Sequence, residues 1–256
     1  MRYRVLGCFG GEAPRFHLSS FLLDDTLLID AGSVTAILEI PEQLQIEAVL
    51  LTHSHLDHVR GLAHLADNVF GRRDRPILVY SIEPILEGLK SFLLNNVLWP
   101  DFTEIPNSDM PILDFRALPE GKATALCNLR VTPFRLSHAV ISVGYLLEGD
   151  FGSLLHLGDT GPTDAVWRAL RDVPNLRAVT IGTTFPNRLQ HLADLSGHLT
   201  PQGLKLELAK NPVKTTVYVY HMKPHYASEI VKELERLVPE CQILEQGKEY
   251  LFAPLP

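Results

Sequence analysis

Residues 52–62 read THSHLDHVRGL and follow the apolar run EAVLL at 47–51. Three histidines and an aspartate (His53, His55, Asp57, His58) fall within six positions at the end of a strand-like segment. Imidazole and carboxylate are metal-ligating groups, and a metal needs their lone pairs to converge on one point. His53 and His55 are two apart, so an extended loop turns them the same way. Asp57 and His58 are adjacent and point to different sides. Four ligands divided two and two suit a pair of ions better than one ion.

Two ligands do not hold a metal, so the remaining donors must come from elsewhere in the chain. Three other strand-like runs end in a ligand type: VTPFRLSH at His138, SLLHLGD at Asp159 and TVYVYH at His221. Strand-to-loop junctions of this kind carry active sites in layered α/β folds. A lone histidine at a strand end is more often structural or solvent-facing. His17, His64, His156, His191 and His225 are placed in that class, with His225 also a candidate for the site rim.

The chain has 256 residues, 46% hydrophobic and 21% charged, with a net charge of −7. It is long enough to bury a sizeable core without staples. An acidic balance argues against a binder of nucleic-acid backbone, which relies on Lys and Arg to neutralise phosphates. Cys8, Cys127 and Cys241 are scattered and lack a CxxC spacing, which fits small buried residues in a reducing compartment. No apolar run approaches the ~20 residues of a membrane span, so no membrane association and a cytoplasmic location are expected.

Short β-type runs alternate with helical patterns. SSFLLDDTLLIDAG reads as a hairpin turning at Asp24-Asp25, followed by a short helix near 34–40 and a strand at 47–51. HVRGLAHLAD and IEPILEGLKSFLLNN have helical spacing, and PILVYS between them reads as a strand. Residues 95–111, rich in Pro and Asn, read as a loop or lid in which Trp99 and Phe102 are candidates to stack on a base. The second half restarts with three strands in a row. Thr200 and Pro201 mark a helix start, and CQILEQGKEYLFA reads as a closing hairpin. Strands followed by helices in each half predict two sheets packed face to face with helices outside. With no Gly/Ser/Pro linker between the halves, residues 1–256 are expected to form one domain.

HSHLDH resembles the His-x-His-x-Asp-His signature of the metallo-β-lactamase superfamily. Asp30 in LLIDAG, His138, Asp159 in LGD and His221 follow in that superfamily's order. THSHLDHVRGL, LGDTG, LADLSGHLTP and YHMKP together resemble the class II 3′,5′-cyclic nucleotide phosphodiesterases. The resemblance implies an α/β (α+β) four-layer αββα sandwich with its site at one edge between the sheets. It implies that His53, His55 and His138 hold one metal, that Asp57, His58 and His221 hold a second, and that Asp159 bridges them. Asp30 would orient a ligand histidine.

Zinc is the first expectation for the two divalent ions, with manganese or iron as alternatives. The implied reaction is attack of a metal-bridging hydroxide on phosphorus, opening 3′,5′-cyclic AMP or GMP to the 5′-nucleotide. Asp57, His198 and Asp30 would then do the catalytic work. His198 would contact the phosphate or protonate the leaving oxygen. Phe185, Asn187 and Arg188, just upstream, are candidates to bind the substrate, and Arg72, Arg73 and Arg75 form a basic run that most simply is a solvated loop. The expected partner is a small cyclic nucleotide and not a nucleic acid, and a homodimer is plausible for the family. Rival readings are a tRNA 3′-endonuclease-like phosphodiesterase, a lactonase or thioester hydrolase, and a silent nucleotide-binding module.

Overall fold

The structure, a computed structural model, describes residues 1–254. The first half forms strands β1 (Arg2–Gly7), β2 (Ser20–Leu23), β3 (Leu27–Ala31), β4 (Ala48–Leu50), β5 (Ile77–Ser81) and β6 (Leu113–Ala117). The second half forms β7 (Thr124–Leu126), β8 (Leu129–Arg135), β9 (Val143–Gly149), β10 (Gly152–His156), β11 (Leu176–Gly182), β12 (Thr216–Tyr220) and β13 (Gln242–Ile243). The last strand, β14 (Glu249–Leu251), returns to the first sheet beside β1. The sheet orders are β14-β1-β2-β3-β4-β5-β6 and β13-β12-β11-β10-β9-β8-β7.

Local chemistry explains these elements. Asp24 and Asp25 take positive φ of 45° and 61°, the conformation of a tight hairpin turn that Asp tolerates better than most residues. From β3 to β6 the strands run parallel, which requires a crossover between each pair. The crossovers carry α1 (Val34–Ile37), α2 (Ile40–Gln43), α3 (Leu56–Val69) and α4 (Glu83–Phe92). In the second sheet β10 to β13 are parallel, and α5 (Ala165–Ala169), α6 (Gln190–Ser196), α7 (Pro201–Leu208) and α8 (Ala227–Leu237) lie in the connections. The helix expected near 34–40 is thus two short helices.

Alternation along the strands sorts side chains into three cores. In β4, Ala48 and Leu50 face the other sheet, while Val49 packs outward under α3 with Leu62, Leu65 and Val69. In β10, Leu154 joins the central core and Leu155 the outer core that includes Leu204, Ile230 and Leu234 of α7 and α8. Helix, sheet, sheet and helix therefore stack as the expected four layers. The sheets are also tied at one edge, where Tyr145 Oη donates to Leu51 O at 2.6 Å and Val143 N donates to Thr52 O at 2.9 Å. Ser81 Oγ donates to the same carbonyl at 2.7 Å, so loss of the Tyr145 hydroxyl removes one hydrogen bond, about 1 kcal/mol, without orphaning Leu51 O.

Two expectations are corrected here. The closing segment 241–253 is not a hairpin: β13 pairs with β12 and β14 pairs with β1, so its two arms lie in different sheets. Phe102 is buried under the first sheet, and Trp99 donates its indole N–H to Ala63 O at 3.1 Å, so these rings pack against the helix layer. No helix among the described residues is long and apolar enough to cross a membrane.

Candidate active site

The site lies where β3, β4, β8, β10 and β12 end. β4 runs out at Leu50, and the chain continues through Thr52 and His53 into α3. His55 stands at the helix N-cap position without capping through its side chain, which leaves the imidazole free. Asp57 and His58 occupy the first helical turn, where an acidic residue suits the helix dipole. Adjacent helical residues are separated by about 100°. Asp57 and His58 therefore reach the same third residue, His221, where a reading in extended loop had them diverge.

Asp30 leaves β3 with φ of 54° and is fully buried. Its carboxylate accepts from Thr52 N at 2.8 Å, from Thr52 Oγ1 and from His58 Nδ1 at 2.7 Å. That bond places the proton on Nδ1 of His58 and turns the Nε2 lone pair into the site. His138, after β8, donates Nδ1–H to Gly197 O at 2.8 Å and brings Nε2 within 3.3 Å of His55 Nδ1. Gly197 caps α6 at φ of 65°, and a Cβ there would stand 2.6 Å from His138 Cα. His221, at φ of 67°, places Nε2 3.1 Å from His58 Nε2 and 3.4 Å from Asp57 Oδ2. A Cβ on Gly10 would lie 2.7 Å from the His221 ring, so only glycine fits beside it.

The donors fall into two main groups, overlapped by a third set of Asp159, His198 and His221. His53, His55, His138 and Asp159 form one, and Asp57, His58 and His221 the other. Asp159 lies between them: Oδ2 is 3.7 Å from His53 Nε2 and 3.4 Å from His58 Nε2, and Oδ1 is 3.1 Å from His221 Nδ1. Buried polar atoms are nearly always satisfied. Here His53 Nε2 and Asp159 Oδ1 are buried and make no hydrogen bond. Imidazole nitrogens facing each other at 3.1 and 3.3 Å and two unsatisfied donor atoms fit divalent cations as the missing partners.

The electrostatics agree. Burial pushes His53 and His55 below the usual histidine range, so both offer neutral lone pairs. Burial alone would raise Asp57 and Asp159. For Asp57 the hydrogen bond from His221 and the neighbouring His58 outweigh it, and for Asp159 the charges of His221 and His58 do. Both carboxyls are held ionised, as metal binding requires. His58 goes the other way: burial would lower it, but Asp30 and Asp159 raise it well above the usual range. A divalent cation relieves the same negative charge that this proton relieves.

His198 is buried beside both groups. Its Nδ1 is 3.0 Å from Thr184 Oγ1 and 3.9 Å from Asp159 Oδ2, and its ring stacks on His221 at 5.6 Å. Burial pushes it down to about 3, against the opposing pull of Asp159. It also stands within ligating range of Asp159 and His221. Phe185 is buried with its ring edge-on to His198 at 5.7 Å. Asn187 Oδ1 accepts from Gln202 N at 2.8 Å and so braces the start of α7. Arg188 pairs with Glu229, and Arg73 and Arg75 bind Leu44 O and Glu47. His156 is an interior residue bonded to Tyr3, Thr180 and Tyr220. Thr52, Thr184, Gly10 and Gly197 were not expected at the site; Thr52 and Gly197 adjoin His53 and His198 in sequence, whereas Thr184 and Gly10 reach the site only through the fold.

A protein-family profile described as "Beta-lactamase superfamily domain" matches residues 26–235. The chain is 26% identical over 242 residues to a "Probable 3′,5′-cyclic-nucleotide phosphodiesterase" of Yersinia pestis, covering 81% of this chain and 68% of that one. It is 34% identical over 180 residues to "Ribonuclease Z" of Metallosphaera sedula, covering 67% of this chain and 57%, little over half, of that protein. Unliganded yeast PDE1 superposes with a TM-score of 0.81 over 97% of this chain and 98% of its own, at 17% identity. The matched span holds the whole donor cluster from Asp30 to His221, and the chain belongs to the beta-lactamase superfamily, with the metallo-β-lactamase fold.

Proposed function

We propose that this protein is a dinuclear metal-dependent phosphodiesterase that opens 3′,5′-cyclic nucleotides to 5′-nucleotides. The observation that carries the reading is the position of Asp159 between two converging donor groups, with His198 buried alongside. His53, His55, His138 and Asp159 would hold one ion, and Asp57, His58, His221 and Asp159 the other. Zinc fits the imidazole-rich set best, with manganese and iron as alternatives. Bound divalent ions supply Lewis acidity toward phosphoryl oxygens and make water nucleophilic near neutral pH.

The chain's own residues prepare that chemistry. Asp30 holds the Nδ1 proton of His58 and, through Thr52, the path of the ligand loop. Gly197 O fixes the His138 ring by the same device. The Thr184 hydroxyl lies between His198 Nδ1 at 3.0 Å and His221 Nδ1 at 3.2 Å and sets both ring orientations. His198 rests neutral. An arriving phosphodiester adds negative charge beside its ring and raises its proton affinity, which suits it to carry a proton to the departing ribose oxygen.

The name of the Yersinia relative supports a cyclic-nucleotide substrate. The name of the Metallosphaera relative supports the second reading, a ribonuclease Z-type phosphodiesterase; the net charge of −7 speaks against gripping a long polyanion. Phosphorus NMR of the product separates these chemistries. Conversion of cyclic AMP or GMP to the 5′-monophosphate supports the proposal, and cleavage of RNA with no turnover of either nucleotide overturns it.

A further inference from the structure

A cavity of about 470 Å³ has walls that include Gly10, Gly11, Ala13, Phe16, Lys223 and His225, and Gly10 separates it from the metal donor His221. Its size falls in the range of small-molecule pockets, ~300–1,000 Å³. It shares a wall with the metal cluster. Gly10 N donates to Met222 O at 3.1 Å, and the side of Gly10 that a Cβ would occupy presses on the His221 ring. Lys223, two residues after His221, donates Nζ–H to Gly10 O. After burial, its charge is among the influences that hold His198 low, so the ammonium stands within electrostatic reach of His198. Cavities of about 490 and 520 Å³, walled by Arg2 and Glu42 and by Cys127 and Glu148, include none of the metal donors or their chain neighbours.

The walls have the chemistry of a slot for a flat ring. Phe16 is braced edge-on against Phe9 at 4.7 Å, and the exposed His225 ring lies beside Tyr226 at 3.9 Å. Gly10 and Gly11 supply backbone without side chains, which lets a planar group approach closely. The charge balance is also asymmetric. Glu12 at the cavity accepts two bonds from Arg60, the longer at 2.8 Å, and is neutralised. Lys223 has no carboxylate partner among the described residues. A lone ammonium only donates, so it reads a hydrogen-bond acceptor on the edge of a ring.

We propose that this cavity is the nucleobase subsite: Phe16 and His225 contact the heterocycle, and Lys223 donates to one of its ring acceptors. This rests on the cyclic-nucleotide reading above. The test uses metal-loaded full-length protein and three variants, Phe16→Ala, Ala13→Phe and Lys223→Met, assayed on cyclic AMP, cyclic GMP and methyl p-nitrophenyl phosphate, which has no base. Loss of base contacts predicts that KM for the cyclic nucleotides rises about tenfold or more in Phe16→Ala and Ala13→Phe, and rises in Lys223→Met for at least one of the two, with kcat changed less than about threefold. Unchanged KM for both in Lys223→Met overturns the lysine contact. Methyl p-nitrophenyl phosphate turnover reports whether the metal site persists.

Unchanged KM for both nucleotides in Phe16→Ala and Ala13→Phe overturns the subsite. So does a parallel fall in turnover of all three substrates in both variants, which marks a structural role. If wild-type protein cleaves methyl p-nitrophenyl phosphate and neither nucleotide, the cyclic-nucleotide reading fails and the subsite falls with it, a result seen before any variant is made.

Discussion

Asp30 Oδ2 lies 2.7 Å from His58 Nδ1 in a fully buried setting, and the same carboxylate accepts from the backbone and hydroxyl of Thr52. One side chain thus fixes both a ligand ring and the loop that carries His53. Asp30→Asn keeps the shape but turns an amide N–H₂ or a weaker acceptor toward Nδ1. The expected result is metal affinity lower by about 10–100-fold, the usual effect of removing such an orienting partner. Competition with a chromophoric chelator measures it; unchanged affinity would show that Asp30 serves folding alone.

Gly10 is the close-packing partner of His221, whose ring a Cβ would meet at 2.7 Å. Gly10→Ala must displace that ligand or the 8–11 loop. A shift near 1 Å at a catalytic group costs about 100-fold in rate. Activity should therefore fall far more than thermal stability, and calorimetry beside kinetics separates the two.

Removing the metal should weaken the fold as well as stop turnover. A ligand present at 100 times its dissociation constant adds about 2.7 kcal/mol to the folded state. For a chain of this size that corresponds to a melting temperature about 5–10 °C higher with metal than after chelation. His58 adds a pH dependence. Its folded affinity for protons is raised, so protons compete with the cation, and metal affinity should climb with pH through the neutral range. A flat affinity between pH 6 and 8 would count against His58 as a ligand.

His156 supplies a separate acid sensitivity. Burial lowers it from 6.5 to about 4. Tyr220 Oη donates to Leu157 O, so His156 Nε2–H must donate to Tyr220, and the single lone pair of Nδ1 then accepts from Thr180 Oγ1 at 2.9 Å. The unfolded chain binds this proton from pH 6.5 downward and the folded chain only near pH 4. Stability is therefore complete above pH 6.5 and is lost as pH falls toward 4. The loss is about 3 kcal/mol at ~1.4 kcal/mol per pKa unit. Urea titrations of metal-free protein should show a shallower acid slope in His156→Gln, though that variant begins less stable.

The donor set was legible because chemistry concentrated it: four ligand types in six positions, and single ligands at the ends of apolar runs. The four layers were legible from period and order. What the sequence withheld depends on contacts distant along the chain. Nothing local in 241–253 says that Gln242 pairs beside β12 while Glu249 pairs beside β1. Trp99 and Phe102 stand in a Pro- and Asn-rich stretch that resembles a lid, yet their rings have α3 and α4 to pack against. Thr184 acts across 14 and 37 residues on His198 and His221, a relation set by β11 and β12 lying side by side.

Turnover of cyclic AMP and cyclic GMP by zinc- or manganese-loaded protein, with Asp57→Ala and His198→Ala in parallel, is the most direct measurement. The expected result is release of the 5′-nucleotide, abolished in Asp57→Ala and reduced by about 100-fold or more in His198→Ala, the scale of lost general acid catalysis. Good turnover of bis-p-nitrophenyl phosphate with none of either nucleotide would contradict the cyclic-nucleotide assignment and leave a two-metal phosphodiesterase with another substrate.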